Sequence, residues 1–181
     1  MKNGPLLLLS ILLHFPLPAL AGKVVAVLDG DTLELMESGK AIRVRLANID
    51  APEKSQPYGQ ASKQSLSDMC YGRDAQLQKQ SIDQYGRTVG IIMCGGIEAN
   101  RAQVERGMAW VYTMYNRDPS LVQLQNNAKQ VSSGLWRDAN PTPPWDYRHG
   151  TPPHPTSHTT CYTGPRGGRY RLVNGHKQYG C

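Results

Sequence analysis

The chain has 181 residues, 39% of them hydrophobic and 19% charged, and a formal net charge of +6. This length suits one domain with a small appendage. After the first 21 residues, no stretch is long and apolar enough to span a bilayer, which argues against a membrane-spanning mature protein.

The N-terminal segment has the layout of a secretory signal peptide. Lys2 precedes an apolar stretch, and the small-x-small tripeptide at 19–21 predicts cleavage after Ala21. A membrane anchor is the alternative, but Pro16, Pro18 and a span below the ~20 residues of a transmembrane helix argue against it. We therefore expect residues 1–21 to be removed and the protein to be secreted or periplasmic.

Three strands are predicted between residues 23 and 49. Residues 23–28 are apolar and β-branched, and the Asp-Gly step that follows is a strong hairpin signal. Residues 32–36 and 41–49 alternate apolar and polar side chains, the pattern of half-buried strands.

Two more strands are predicted at residues 75–82 and 88–93, joined by a turn at Tyr85-Gly86. Helices are expected at 59–69 and at 97–109, the latter with Gly107 as its stop signal.

A further helix is predicted between Asp118, its N-cap, and Gly134, with Pro119 at the first helical position. Five short strands, three of them ahead of the first helix, suggest a small barrel with helices packed outside. The prediction is an α+β, mainly β, fold: a five-stranded OB-fold barrel with three helices.

The chain changes character after residue 138. Residues 139–160 are rich in Pro, Thr and His, which predicts a semi-extended linker. Residues 161–181 contain glycines, aromatics and cations but too few apolar residues for a core, so a disulfide staple is expected. The predicted domains are therefore 22–138, a linker at 139–160 and a basic module at 161–181.

The net positive charge lies mainly in this C-terminal part. Residues 22–140 contain 14 Lys or Arg and 13 acidic residues, whereas residues 141–181 contain 5 Lys or Arg and 1 acidic residue. A polyanionic partner is a reasonable hypothesis. The residues that bind it would be Arg166, Arg169, Arg171 and Lys177. The alternative is that the module is a small disulfide-closed unit that only protects the C-terminus.

Four cysteines in an exported chain suggest two disulfides, for which three connectivities exist. Cys70 and Cys94 flank the hairpin, whose pairing would bring them together, and Cys161 and Cys181 bracket the C-terminal module. We favour Cys70–Cys94 and Cys161–Cys181 over free thiols. A zinc site is not indicated, because no CxxC spacing occurs.

Acidic residues form two clusters along the chain. Asp29 and Asp31 are two apart, and Asp50 and Glu53 follow the third strand. Carboxylates that converge on one point suit a hard cation such as calcium or magnesium. Arg45 is five residues before Asp50, so a bulge or a strand end near Asn48 is needed to bring the two side chains together.

Acids and arginines together suit phosphodiester hydrolysis. A metal ion polarises a phosphoryl oxygen, guanidinium groups bind phosphate, and a carboxylate can act as general base. Each element alone has a simpler interpretation: Asp-Gly-Asp as a plain turn, Arg43 and Arg45 as a solvated strand face, and Arg87 as an exposed cation. Their joint order makes the case for a phosphodiesterase.

Four segments resemble, in order, the signatures of the staphylococcal nuclease-like family: VLDGDTLEL, RLANIDAPE, DQYGRTVG and GMAWVY. The resemblance covers about residues 23–138. It implies an OB-fold barrel and calcium-dependent hydrolysis of DNA and RNA, with another hard divalent ion as an alternative cofactor.

The resemblance also implies residue roles. Asp31 and Asp50 match the calcium-binding aspartates, and Ala51, which replaces a frequent Thr, would offer its backbone carbonyl. Glu53 matches the residue that orients or activates the attacking water. The remaining matches are the phosphate-binding Arg45 and Arg87, the nucleotide-contacting Tyr85 and Tyr115, and Asp29 beside the metal ligands. For the tyrosines, base stacking and half-buried packing are both open.

Two other hypotheses compete with an exported, sequence-unspecific endonuclease. One is a catalytically silent nucleic-acid-binding module on the same barrel, although such domains typically lose the acids or arginines. The other is an envelope or matrix binder that acts through its basic tail.

Overall fold

The computed structural model describes residues 20–116, 118–150, 162–163, 169–173 and 176–179. The predicted signal sequence before Leu20, Arg166 and the proposed Cys161–Cys181 pair lie outside these residues, as do the side chains of Arg171 and Lys177. None of the described helices has the length and apolar composition needed to cross a bilayer.

A closed five-stranded barrel forms the centre of the fold. Its strands are joined antiparallel in the order third, second, first, fifth and sixth, and a parallel pairing of the third with the sixth closes it. This confirms the predicted OB-fold barrel. The strands up to residue 111 are β1 (Leu20–Val27), β2 (Thr32–Glu37), β3 (Lys40–Leu46), β4 (Ile49–Asp50), β5 (Asp74–Ile82), β6 (Thr88–Cys94), β7 (Ile97–Glu98) and β8 (Trp110–Val111).

Helices cover the outside of the barrel. They are α1 (Gly59–Cys70), α2 (Ala99–Glu105), α3 (Pro119–Gln130), a 3-10 helix at Gly134–Arg137 and α4 (Pro144–Arg148). In the tail, β9 (Tyr162–Thr163), β10 (Arg169–Val173) and β11 (His176–Tyr179) form a separate antiparallel sheet.

The barrel and helices share one hydrophobic core. Alternate residues of the strands point inward, as the period-two pattern predicts. Leu66 of α1 and Val104 of α2 complete the packing from outside and are fully buried. The fully buried apolar residues of the strands are Val24, Leu33, Leu35, Val44, Leu46, Ile49, Leu77, Ile92 and Cys94.

Element boundaries differ from the predictions at three places. The predicted third strand divides, because Asn48 has a left-handed φ of 67° between β3 and β4. Residues 97 and 98 form β7 rather than the first turn of a helix. The helix that Asp118 caps ends at Gln130 instead of near Gly134, since Ser132 already has a φ of 51°.

The segment predicted as a semi-extended linker contains α4. Pro144 stands at the start of this helix, where its missing N–H is no cost. The Trp145 ring stacks on Tyr112 at 5.4 Å between centroids, with an interplanar angle of 8°. Aromatic packing therefore holds α4 against the domain, although many prolines surround it in the sequence.

The turn between β1 and β2 is packed tightly against α1 and α2. Gln103 donates from Nε2 to the Gly30 carbonyl at 2.7 Å, and a Cβ on Gly30 would overlap the Ser62 hydroxyl and lie 2.8 Å from the Ala51 Cβ. Close packing therefore requires glycine at this turn, beside the predicted metal ligand Asp31.

The predicted Cys70–Cys94 disulfide is present and links the end of α1 to the end of β6. The double variant Cys70→Ala/Cys94→Ala should lose about 3 kcal/mol of unfolding free energy, since its unfolded chain is no longer constrained over 24 residues. Urea unfolding of the barrel measures the loss. Cys161→Ala/Cys181→Ala is the matched control, and an equal loss in both variants would contradict the expectation.

Gly30→Ala should lower the free energy of unfolding by about 1–3 kcal/mol, because the added methyl group overpacks the turn. The double variant Gly30→Ala/Ser62→Gly should recover part of the loss, since it removes the overlapping hydroxyl. A double-mutant cycle by urea unfolding tests this, and strictly additive losses would show that the two residues do not interact.

Candidate active site

Two buried aspartates meet one arginine at the mouth of the barrel. Arg45 Nη2 lies 2.8 Å from Asp50 Oδ1 and 3.5 Å from Asp31 Oδ2. The left-handed turn at Asn48 reverses the alternation of β3, which brings Asp50 to the same side as Arg45. Arg45 Nη1 also donates to the Ile49 carbonyl at 3.1 Å, so the guanidinium itself supports the turn.

Both carboxylate oxygens of Asp31 accept hydrogen bonds. Oδ2 accepts the Ala51 N–H at 2.9 Å, and Oδ1 accepts the Thr32 hydroxyl at 2.9 Å. The Asp31 N–H in turn donates to Asp29 Oδ1 at 3.1 Å. Three of the predicted residues, Asp29, Asp31 and Ala51, therefore lie in one connected network.

Burial and mutual repulsion raise proton affinity in this cluster. Burial, together with the charge of Asp31, raises the pKa of Asp29 to about 6. Burial also raises the pKa of Asp50, despite its arginine partners. Burial lowers the pKa of Arg45, but the charges of Asp31 and Asp50 raise it overall. The site thus concentrates negative charge where water is scarce, an environment that favours a bound cation.

Glu53 joins this cluster through Arg148 of α4. Arg148 Nη2 lies 2.7 Å from Asp50 Oδ2, and its Nη1 lies 2.6 Å from Glu53 Oε1. Partial burial lowers the pKa of Arg148, but hydrogen bonds with Asp50 and Glu53 raise it overall. The Glu53 side chain is 37% exposed, so it stands at the boundary between the buried acids and solvent.

Arg87 and Tyr85 line a neighbouring open cleft of about 540 Å³, together with Arg43. Arg87 Nε donates to Asp83 Oδ2 at 2.7 Å, and its guanidinium carbon lies 5.4 Å from the Tyr85 ring centroid. The structure therefore pairs Arg87 with Asp83 and places it in the cleft, whereas Arg45 contacts both buried aspartates.

The two predicted nucleotide-contacting tyrosines are both at the surface. Tyr85 is 74% exposed and Tyr115 is 60% exposed. The Tyr115 ring packs edge-on against Tyr112 at 5.0 Å, next to the Trp145 stack. Their exposure favours an accessible stacking face over the half-buried packing role.

The donor chemistry of the cluster fits a hard cation. Asp31 and Asp50 supply carboxylate oxygens, and Ala51, whose carbonyl would be the third donor, directly follows Asp50 and donates its N–H to Asp31 Oδ2 at 2.9 Å. Calcium takes about six to eight oxygen ligands, so water or substrate would supply the others. Among the described residues, no three Asp, Glu, His or Cys side chains are grouped to hold a metal on their own.

Sequence reasoning missed two groups of residues at the site. Buried Asn100 donates to the Ala47 carbonyl at 2.9 Å and accepts the Ile92 N–H at 3.1 Å, which fixes α2 to the barrel beside β3. Arg148 was assigned to the linker. The nearby Trp145 and Tyr147 were a usable signal, because large aromatic residues are uncommon in solvated linkers.

The family model for staphylococcal nuclease homologues matches residues 43–138. The match includes Arg45, Asp50, Glu53 and Arg87. Asp31 lies before it, and α4 lies after it.

Several curated relatives cover most of the chain. An Escherichia coli protein named "uncharacterized endonuclease" is 49% identical over 129 residues, 71% of this chain and 84% of the relative. A Haemophilus influenzae protein of the same description is 42% identical, over 82% of this chain and 87% of the relative. A protein of Shigella flexneri named "micrococcal nuclease" is 35% identical, over 78% of this chain and 90% of the relative. The chain therefore belongs to the staphylococcal nuclease homologue family, and its relatives support an endonuclease activity.

Proposed function

We propose that the protein is an exported, metal-dependent endonuclease that hydrolyses phosphodiester bonds of DNA and RNA with little sequence specificity. The observation that carries the proposal is the contact of Arg45 with both Asp31 and Asp50 at the barrel mouth. This contact places a phosphate-binding guanidinium beside carboxylate oxygens that can bind a hard cation.

In this proposal, Asp31 and Asp50, with the Ala51 carbonyl, hold the cation. The cation, calcium or another hard divalent ion, would polarise a phosphoryl oxygen and offset the charge of the substrate. Asp29 shapes the site through its hydrogen bond to the Asp31 backbone. The network around Asp31 keeps its carboxylate in place for the cation.

Arg45 and Arg87 stabilise the negative charge that grows on the phosphate as water attacks. Each guanidinium group can donate two hydrogen bonds to the phosphate oxygens. Glu53 accepts the proton of the attacking water, since its side chain is 37% exposed and water can reach it. To bind phosphate, Arg87 must exchange its contact with Asp83 for one with the substrate.

The surface around the acids suits a long polyanion. Tyr85 and Tyr115 present exposed rings on which bases can stack without regard to sequence. The basic C-terminal module would add further phosphate contacts. Such contacts are sequence-independent, which agrees with low specificity.

Export is proposed from the N-terminal sequence and is supported by the Cys70–Cys94 disulfide. Disulfides persist in the periplasm and outside the cell but are rare in the cytosol. Cleavage after Ala21 would leave Gly22 and Lys23 of β1 paired with Ala75 and Asp74 of β5. We therefore propose that the protein is secreted or periplasmic.

The first test is plasmid nicking by residues 22–181 in calcium and in excess chelator. We expect nicking only with the metal, because the acids alone repel the phosphate. Nicking in chelator would contradict the proposed site. Binding without nicking in either condition would favour the silent nucleic-acid-binding module. Unchanged nicking after removal of residues 151–181, which keeps α4, would exclude the tail binder.

Single substitutions test the residue roles. Arg45→Ala and Arg87→Ala should each lower the rate by at least about 10²-fold, since each removes a charge that stabilises the transition state. Asp50→Asn should weaken calcium binding as well as the rate. Asp68→Asn, which removes an exposed carboxylate of α1, is the matched control and should cleave like the wild type. Wild-type rates in both arginine variants would refute their assignment.

A further inference from the structure

Residues 141–150, here called the C-terminal strap, place the positively charged guanidinium of Arg148 in the acidic site. Arg148 sits between the metal ligand and the base of the proposed mechanism, and it contacts both. We propose that Arg148 is a positioning residue that holds Asp50 and Glu53 and competes with a divalent ion, which binds by displacing it. This inference rests on the proposed function, because it concerns the same site.

The contacts of Asp50 make the two cations mutually exclusive. Its Oδ2 accepts from Arg148 Nη2 at 2.7 Å, and its Oδ1 accepts from Arg45 Nη2 at 2.8 Å and faces Arg148 Nη1 at 3.3 Å. Both oxygens are therefore engaged, and the Asp50 side chain is only 2% exposed. The Arg148 guanidinium therefore covers the Oδ2 side of this carboxylate, the side that the metal ion takes in this proposal.

Charge balance explains why a guanidinium is held there. A buried carboxylate without a partner is costly, and Arg45 is shared between Asp50 and Asp31. Arg148 supplies the second positive charge. A divalent cation in place of Arg148 would also neutralise the buried carboxylates. The exchange therefore leaves Asp50 with a partner of opposite charge.

Several contacts other than the ion pair hold the strap in place. Gln56 Nε2 donates to the Thr142 carbonyl at 2.6 Å, and the hydroxyls of Ser55 and Tyr147 are 3.1 Å apart. Trp145 stacks on Tyr112 and meets Trp110 edge-on at 5.8 Å. These contacts keep Arg148 close to the acids, which makes it an effective intramolecular competitor.

The loop that Gln56 and Ser55 belong to also contains Glu53. The Glu53 N–H donates to Gln56 Oε1 at 3.0 Å, while the amide nitrogen of the same Gln56 binds the strap. Docking of the strap and placement of Glu53 are therefore linked through one side chain. Displacement of Arg148 would free the Glu53 carboxylate for the attacking water.

Calcium binding by the full mature chain tests the inference without relying on cleavage. Arg148→Gln should lower the calcium dissociation constant in titration calorimetry by about tenfold, the effect expected if the displaced state is populated at about one in ten. Its melting temperature without metal should fall, and the rise on adding calcium should exceed that of the wild type. Arg148→Lys, which keeps a positive charge, should lie closer to the wild type.

Arg101→Gln is the matched control, since it also removes a guanidinium from an ion pair, with Asp118 on the α3 side of the domain. It should bind calcium like the wild type. If Arg148→Gln is poorly folded, Trp145→Ala provides the second variant, because it loosens the strap while keeping the charge, and it too should bind calcium more tightly.

The outcomes separate this inference from the proposed function. Calcium-dependent nicking by the wild type with an unchanged or larger dissociation constant in Arg148→Gln would overturn the inference alone. Absence of calcium binding in both the wild type and Arg148→Gln would overturn the inference and the metal site together. Tighter binding in Arg148→Gln, with Arg101→Gln unchanged, would support it.

Discussion

The burial of the Asp50 carboxylate is the constraint on which the site depends. This group is almost inaccessible to water, so its charge must be compensated by neighbouring cations. Arg45 and Arg148 provide that compensation. Arg45 comes from barrel strand β3, whereas Arg148 comes from α4 in the strap. The positions of β3, the turn at Asn48 and α4 are all consistent with this requirement.

Barrel closure gives the site its rigidity. The parallel pairing of β3 with β6 places Arg45 beside Val89, two residues from Arg87. The pairing of β4 with β8 holds Asp50 opposite Trp110. Asn100 and Gln103 of α2 then tie the outer helix to the backbone of both site-bearing segments. Binding groups on strands and short turns of a closed barrel keep their spacing better than groups on long loops.

The side chains of the site differ in whether their contacts are fixed or can be exchanged. Asp31 is held by hydrogen bonds within the barrel, whereas Glu53 is held by Arg148 and Gln56 at the surface. The same contrast appears at Arg87, which is paired with Asp83 in its own turn. In the proposed enzyme, Asp31 keeps its partners when the cation binds, while Asp50, Glu53 and Arg87 first exchange a local ion-pair partner.

The sequence by itself determined the barrel, its hairpins, the N-cap at Asp118 and the Cys70–Cys94 bridge. These features depend on local pattern: alternation within strands, turn residues and the pairing of adjacent strands. The resemblance to the nuclease family named the acids and arginines, and the structure brought Asp31, Arg45 and Asp50 together. Their roles in catalysis remain predictions.

Only the tertiary structure decided how these groups face one another. Alternation predicts that Arg45 and Asp50 lie on opposite faces, and the left-handed turn at Asn48 reverses this locally. Arg148 is 98 residues from Asp50, in a proline-rich segment whose composition predicts a linker. Contacts at such separation depend on the packing of Trp145 and on the charge left uncompensated at Asp50, and neither is encoded in local periodicity.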